Sequence, residues 1–351
     1  MVKKARINKA LDRDLKSRVA LEKAALGTRQ QFLAPSIGFA FIVVAGLITS
    51  ILVGWSSDNL IIIAAAAIGA YMALNIGAND VANNVGPAVG ANALTMVGAL
   101  IIAAVFESAG ALLAGGDVVG TISKGIIDPS YVSEPAVFIW AMFAALLSAA
   151  IWVNLATWIG APVSTTHSVV GGVMGAGIAA AGMSAVNWPK MSQIAASWVI
   201  SPVLGGLIAA LFLWFIKSQV SDKSDKISAA RRWVPLLIAI MAGAFSAYLS
   251  VKGLKKIIKI DLETALLIGA ITLAIFYLIT KPLIRRQSEG MENTKKSVRA
   301  LFKIPLIFAA ALLSFAHGAN DVANAVAVSY THLRAHETKA NLVCRLLVEK
   351  K

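Results

Sequence analysis

Apolar runs able to cross a hydrocarbon core of about 30 Å recur eight times along this 351-residue chain, and nothing constrains its fold more. They lie near 36–54, 59–76, 93–114, 135–158, 191–216, 234–250, 261–280 and 304–317. Inside lipid the backbone must satisfy its own N–H and C=O groups, so such runs are read as helices. Hydrophobic residues make up 58% and charged residues 14% of the chain, against about 45–50% and 25% in soluble domains. The expected class is an all-α polytopic membrane protein. The single Cys344 excludes an internal disulfide.

A shorter Gly/Ala-rich stretch, 168–182, reads as one arm of a re-entrant hairpin whose other arm is 139–158, joined at Gly160-Ala161-Pro162. Charge decides whether it counts as a crossing. If it does, and the N-terminus is cytoplasmic, segments 1–34, 217–233 and 281–303 share the inner side with nine, five and seven Lys/Arg. Only the 251–260 loop, with four, then faces out. If it does not cross, twelve of those charges move outside, so the positive-inside rule selects the first arrangement. The basic flanks point to anionic lipid headgroups rather than nucleic acid, because no folded soluble domain carries them. Residues 1–34 have no apolar core that would make a signal peptide, and Val19 to Ala25 could form a short surface helix.

Residues 77–83 read GANDVAN, and residues 318–324 read GANDVAN again. In the favoured topology the helix before the first copy runs inward and the helix before the second runs outward. Antiparallel copies of one motif are the pattern of an inverted-repeat secondary transporter. Each copy ends an apolar helix in Asn, Asp and Asn. With Glu107 mid-span, Asp80 and Asp321 would cost about 7–10 kcal/mol in lipid if left without partners. No Lys or Arg lies nearby in the spans, so bound cations, protons or a polar cavity must offset them. Carboxylate and carboxamide oxygens are hard ligands, suited to Na⁺ or a proton and not to a transition metal. Gly77, Gly86 and Gly318 would let these helices break and expose backbone carbonyls. Helical spacing puts Asp80, Asn83 and Asn84 on one face and Asn79 on another, toward the hairpin.

The hairpin carries Pro162-Val163-Ser164-Thr165-Thr166-His167. Pro ends one segment and Ser or Thr caps the next, so a helix starting here presents N–H groups, hydroxyls and a positive dipole end. Donors without fixed charge suit an oxyanion that must bind and then leave. His167 and His317 are of a type that can titrate near neutral pH, and each reads first as a hydrogen-bonded structural imidazole. A competing reading is an intramembrane hydrolase using Ser164 or Ser168 with His167. It lacks a G-x-S-x-G elbow and leaves the acidic repeat unexplained. No Walker A pattern supports an ATP-driven pump. A channel with the same donors is the other alternative.

GANDVAN at 77 and 318, PVSTTH at 162–167, Phe106-Glu107 and TISKGIID at 121–128 resemble the PiT inorganic phosphate transporter family over about 59–328. The resemblance implies inverted repeats, re-entrant hairpins and cation-coupled phosphate symport, commonly by a homodimer. It places substrate on Ser164, Thr165, Thr166, Asp80, Asn83, Asp321 and Asn324. The coupling Na⁺ or H⁺ falls to Asn79, Asp80, Asn83, Asn320, Asp321, Asn324 and Glu107, with no organic cofactor. Some relatives carry sulfate, which makes a sulfate or other oxyanion permease the alternative. The chain then divides into a basic extension (1–34), an added span (35–58), a first repeat (59–216), linking helices (217–302), the start of a second repeat (303–328) and a foreign-looking tail (329–351). No second Pro-x-Ser-x-Thr-His hairpin follows Val328, so the chain as given is expected not to transport alone.

Overall fold

In a computed structural model of the protein, residues 32–116, 125–128, 131, 134–252 and 260–348 are described. The surface extension with Val19–Ala25, Thr121–Lys124 of the TISKGIID motif and most of the 251–260 loop lie outside them. Eight helices among the described residues are long and apolar enough to cross a membrane, and they coincide with the eight runs read from hydropathy.

In chain order the helices are α1 (Phe32–Val53), α2 (Ser57–Gly90), α3 (Met96–Ala114), α4 (Pro135–Trp158), α5 (Thr165–Ala181) and α6 (Trp188–Ile216). A π-turn at Lys217–Ser221 leads to α7 (Lys226–Lys252), α8 (Leu262–Gln287), the short α9 (Lys295–Leu301) and α10 (Lys303–Val348). Their starts follow local chemistry. Thr95, Ser164, Asn187, Asp261 and Thr294 each accept a backbone N–H at a helix N-terminus, where four donors would otherwise lack partners. At Asp261 the Thr264 hydroxyl and N–H hold the carboxyl below its ordinary range.

Two compact units meet between Leu74 and Asn75, inside α2. In the first, α1 lies against the start of α2, with Gly38 facing Leu74 and Gly46 facing Ile63. The Asn59 amide closes their loop on the carbonyls of Val53 and Gly54, at 2.7 and 3.1 Å. In the second, Val85, Ala88, Ala99, Ala103 and Ala310 join the end of α2 to α3 and α10. Small side chains there let the backbones approach, as helix packing in lipid requires. One close crossing is α3 on α10. A Cβ at Gly318 would fall on the Glu107 carbonyl, and one at Gly110 on the Phe315 carbonyl.

That contact corrects one expectation. Both GANDVAN segments stay helical, inside α2 and α10, and Gly318 serves close approach and not a helix break. The interruption falls at the hairpin. There α4 ends at Trp158, Gly160 takes a positive φ of 70°, and α5 restarts after Ser164. With 17 residues, α5 is shorter than any of the eight spans. Several spans carry an apolar surface. On α6, residues such as Val199, Leu204, Leu207, Leu211 and Trp214 are all exposed, an arrangement stable only in lipid.

At one end of α7 and α8, Val220, Ile227, Val234, Ile284, Val298 and Leu301 form a separate buried cluster. Asn293 ties the two loops there, donating to the Ser224 carbonyl (2.6 Å) and accepting from the Lys226 N–H (2.8 Å). Arg231 donates to the hydroxyl and carbonyl of Ser288.

Candidate functional site

The two GANDVAN copies converge, within the second unit, on the start of α5. Asp80 comes from α2, Glu107 from α3, Thr165 from the first turn of α5, and His317 and Asp321 from successive turns of α10. His317 Nε2 lies 2.8 Å from Asp321 Oδ2 and 3.7 Å from Asp80 Oδ2, and its Nδ1 lies 3.5 Å from Glu107 Oε1. His317, read from sequence as a hydrogen-bonded imidazole without named partners, stands with its ring among all three carboxylates. It does not neutralise them. A single imidazole, even if protonated, can offset only one of three ionised carboxylates, and unbalanced charge is costly in a low-dielectric surrounding. One ligand atom from each of Asp80, His317 and Asp321 falls within 4.8 Å of the others, close enough to share an ion.

Hydrogen bonds fix the remaining geometry. The Thr165 hydroxyl donates to Asp80 Oδ2 at 3.2 Å, and the Asn84 amide to Glu107 Oε1 at 2.8 Å. Asn324, only 1% exposed, donates to Thr166 Oγ1 (3.0 Å) and Asp321 Oδ1 (3.2 Å), so it pins the hairpin to the second motif. Its own Oδ1 is buried without a partner, a free acceptor beside the carboxylate. At the hairpin tip the Ser164 hydroxyl takes the His167 N–H. The N–H groups of Thr165 and Thr166 remain as the helix's open donors.

A cavity of ≈ 240 Å³ results, lined by Asp80, Asn83, Asn84, Ser164, Thr165, His317 and Asp321. One wall carries carboxylate oxygens and the other hydroxyls at a helix N-terminus. Of the residues expected from sequence, Ser164, Thr165, Asp80, Asn83 and Asp321 line the cavity. Glu107, Thr166 and Asn324 support it through the contacts above. Two do not converge. Asn79 donates instead to Thr157 Oγ1 on α4 at 3.0 Å, as its helical position foretold, and a neighbouring bond joins Asn154 to Asn75 at 2.7 Å. Asn320, the matching position of the second copy, is exposed and reaches only Asp321 of its own helix, at 3.5 Å. In each copy the first Asn stands one place before Asp, about 100° round the helix from it, which turns both asparagines off the shared face. Asn84 and His317 are the site residues that the sequence reading left without a role.

Residues 76–348 match the Phosphate transporter family. The chain belongs to that family.

Among its relatives, a Helicobacter pylori protein named "Putative phosphate permease" is 52% identical over 305 residues, covering 87% of this chain and 57% of the relative. A Pyrococcus abyssi protein of the same description is 38% identical over 261 residues, covering 74% and 63%. The chain thus spans about 57% to 63% of the length of these curated relatives. A solved structure described as "The sodium-dependent phosphate transporter" superposes with a TM-score of 0.75 at 35% identity, covering 80% of this chain and 69% of that one. The family match continues to residue 348, past the boundary that composition suggested at Val328. This is a family of transporters and not of enzymes, and the hydrolase reading falls with it. Ser164 is in any case committed as a helix cap, while the His167 ring stacks on Trp198 at 3.9 Å.

Proposed function

We propose that this chain carries the binding cavity of a sodium-coupled phosphate symporter, set in the cytoplasmic membrane with its N-terminus inside. The observation that carries the reading is the joining, in one cavity, of Asp80 and Asp321 with the donor end of α5. Coupling follows from charge. An anion is repelled by a cavity with an excess of carboxylates, so sodium must first bind Asp80 and Asp321 and offset them. Phosphate oxygens then take the Ser164 and Thr165 hydroxyls and the open N–H groups. Sodium in preference to a proton is favoured by the several oxygen ligands around Asp80 and by the description of the solved relative. The inner location of the N-terminus rests on the distribution of Lys and Arg, and a homodimer on the family resemblance.

The test is equilibrium binding of labelled phosphate to the purified chain, in sodium and in choline, with uptake measured on the full-length protein. Binding should require sodium. Asp80→Asn should weaken it about tenfold or more, as expected when a charged contact of about 1.5–3 kcal/mol is lost. Sodium-independent binding would sink the coupling, and sulfate competing as well as phosphate would make the protein a general oxyanion permease.

A further inference from the structure

We propose that the basic end of the α7–α8–α9 assembly is a docking surface for anionic phospholipid headgroups. This rests on no part of the cavity argument. Segments 217–233 and 281–303 hold twelve Lys and Arg against four Asp and Glu. Among the described residues none of these cations forms an ion pair, although Asp222, Asp225, Glu289 and Glu292 stand on the same two segments. Arg231 is spent on Ser288. Lys223, Arg232, Lys281, Arg285 and Arg286 are exposed.

The surface is built and not merely charged. Helix α9 is amphipathic: Val298 and Leu301 are buried in the cluster with Val234 and Ile284, while Lys295, Lys296 and Arg299 face out. Apolar anchoring fixes those three cations on a rigid base, so little side-chain order is lost on binding. Depth is set as well. α9 lies between the end of α8 at Gln287 and the start of α10 at Lys303, the level where two spans leave the hydrocarbon. Aromatic rings mark the same level. The Arg232 guanidinium lies 5.2 Å from the Trp233 ring and the Lys281 ammonium 5.5 Å from the Tyr277 ring, each cation reaching out from an interfacial aromatic. Headgroup phosphates at that depth are the one abundant anion able to meet all these groups together. A soluble acidic partner would have no use for the aromatic belt.

Spin-labelled lipids read this directly. The chain is reconstituted in phosphatidylcholine vesicles carrying labelled phosphatidylglycerol or labelled phosphatidylcholine, and the immobilised fraction gives the relative association constant. Phosphatidylglycerol should be preferred severalfold at low salt, with the preference shrinking as salt is raised. The triple change Lys295→Gln, Lys296→Gln, Arg299→Gln should lower it at least about twofold, as should Arg285→Gln with Arg286→Gln. Lys295→Arg with Lys296→Arg should retain it, and Lys190→Gln, in the first turn of α6 and on neither basic segment, should leave it unchanged. Circular dichroism and elution confirm the fold of each variant. Equal association of the two lipids overturns the proposal, as does a preference that survives both neutralised sets. Displacement of phosphatidylglycerol by millimolar inorganic phosphate would overturn it in favour of a soluble ligand.

Discussion

Asn324 and Thr166 offer the sharpest test of how the hairpin is held against the second motif. In Asn324→Ala the amide loses its bonds to Thr166 Oγ1 and Asp321 Oδ1. A neutral bond is worth about 1 kcal/mol and one to a carboxylate about 1.5–3 kcal/mol, and at 1% exposure bulk water replaces neither. Removing the unpartnered Oδ1 returns about 1 kcal/mol, leaving a net loss of roughly 1.5–3 kcal/mol. Thr166→Val should lose about 1 kcal/mol. The two changes delete one bond in common, so the double variant should be more stable than additivity predicts by about 1 kcal/mol, a factor of about five in an equilibrium constant. The assay is unfolding in mixed micelles of rising SDS content, followed by far-UV circular dichroism for the four proteins of the cycle. A second cycle pairs Asn324→Ala with Thr157→Val, whose hydroxyl accepts from Asn79 and not from Asn324. That cycle should be additive. Coupling below about 0.3 kcal/mol in the first cycle, or equal coupling in both, would refute the clasp.

Two further predictions rest on packing and on topology. Gly318→Ala should lower folded yield or stability sharply, because its methyl meets the Glu107 backbone, which has no rotamer to change; Gly77→Ala, facing open space, should be neutral or stabilising by up to about 1 kcal/mol. Thermal inactivation that is alike in both variants would contradict the crossing. In a Cys344→Ser background, single cysteines at exposed Ser224 and Glu292 should be shielded from impermeant thiol reagents in intact cells, while one at Ser56 should react. Labelling of Ser224 from outside would reverse the topology.

The spans were legible because lipid leaves the backbone one local solution, so hydropathy alone finds α1 to α4, α6 to α8 and the start of α10. The hairpin was legible from its punctuation, Pro162 closing one arm and Ser164 capping the next. Asp80, Asp321 and Thr165 were grouped in one site by the family resemblance, and the three line one cavity. What was missed depends on contacts between distant helices. Gly318 looked like a breaker because sequence shows a missing side chain but not the Glu107 carbonyl that fills its place. Asn84 was seen on the Asp80 face, but its partner Glu107 belongs to another helix. His317 had a local signal. It stands four residues before Asp321, the spacing that pairs side chains on one helix face.

The repeat is unequal where charge demands it. Ile76 precedes the first GANDVAN and His317 the second; Asn84 follows the first and Ala325 the second. Two identical halves facing one another would oppose Asp80 to Asp321 with no positive group between them, and like charges at that range raise each other's cost. Divergence at just these flanks inserts an imidazole on one side and an amide for Glu107 on the other. The inserted ring is not midway. It bonds Asp321 at 2.8 Å and stands 3.7 Å from Asp80, whose side chain is also the more exposed, 14% against 9%. The cavity therefore presents Asp80, beside the Thr165 hydroxyl, more openly than Asp321, whose Oδ2 is held by the imidazole. Identical in sequence, the two copies thus stand in unequal surroundings, a difference that the sequence identity between them conceals.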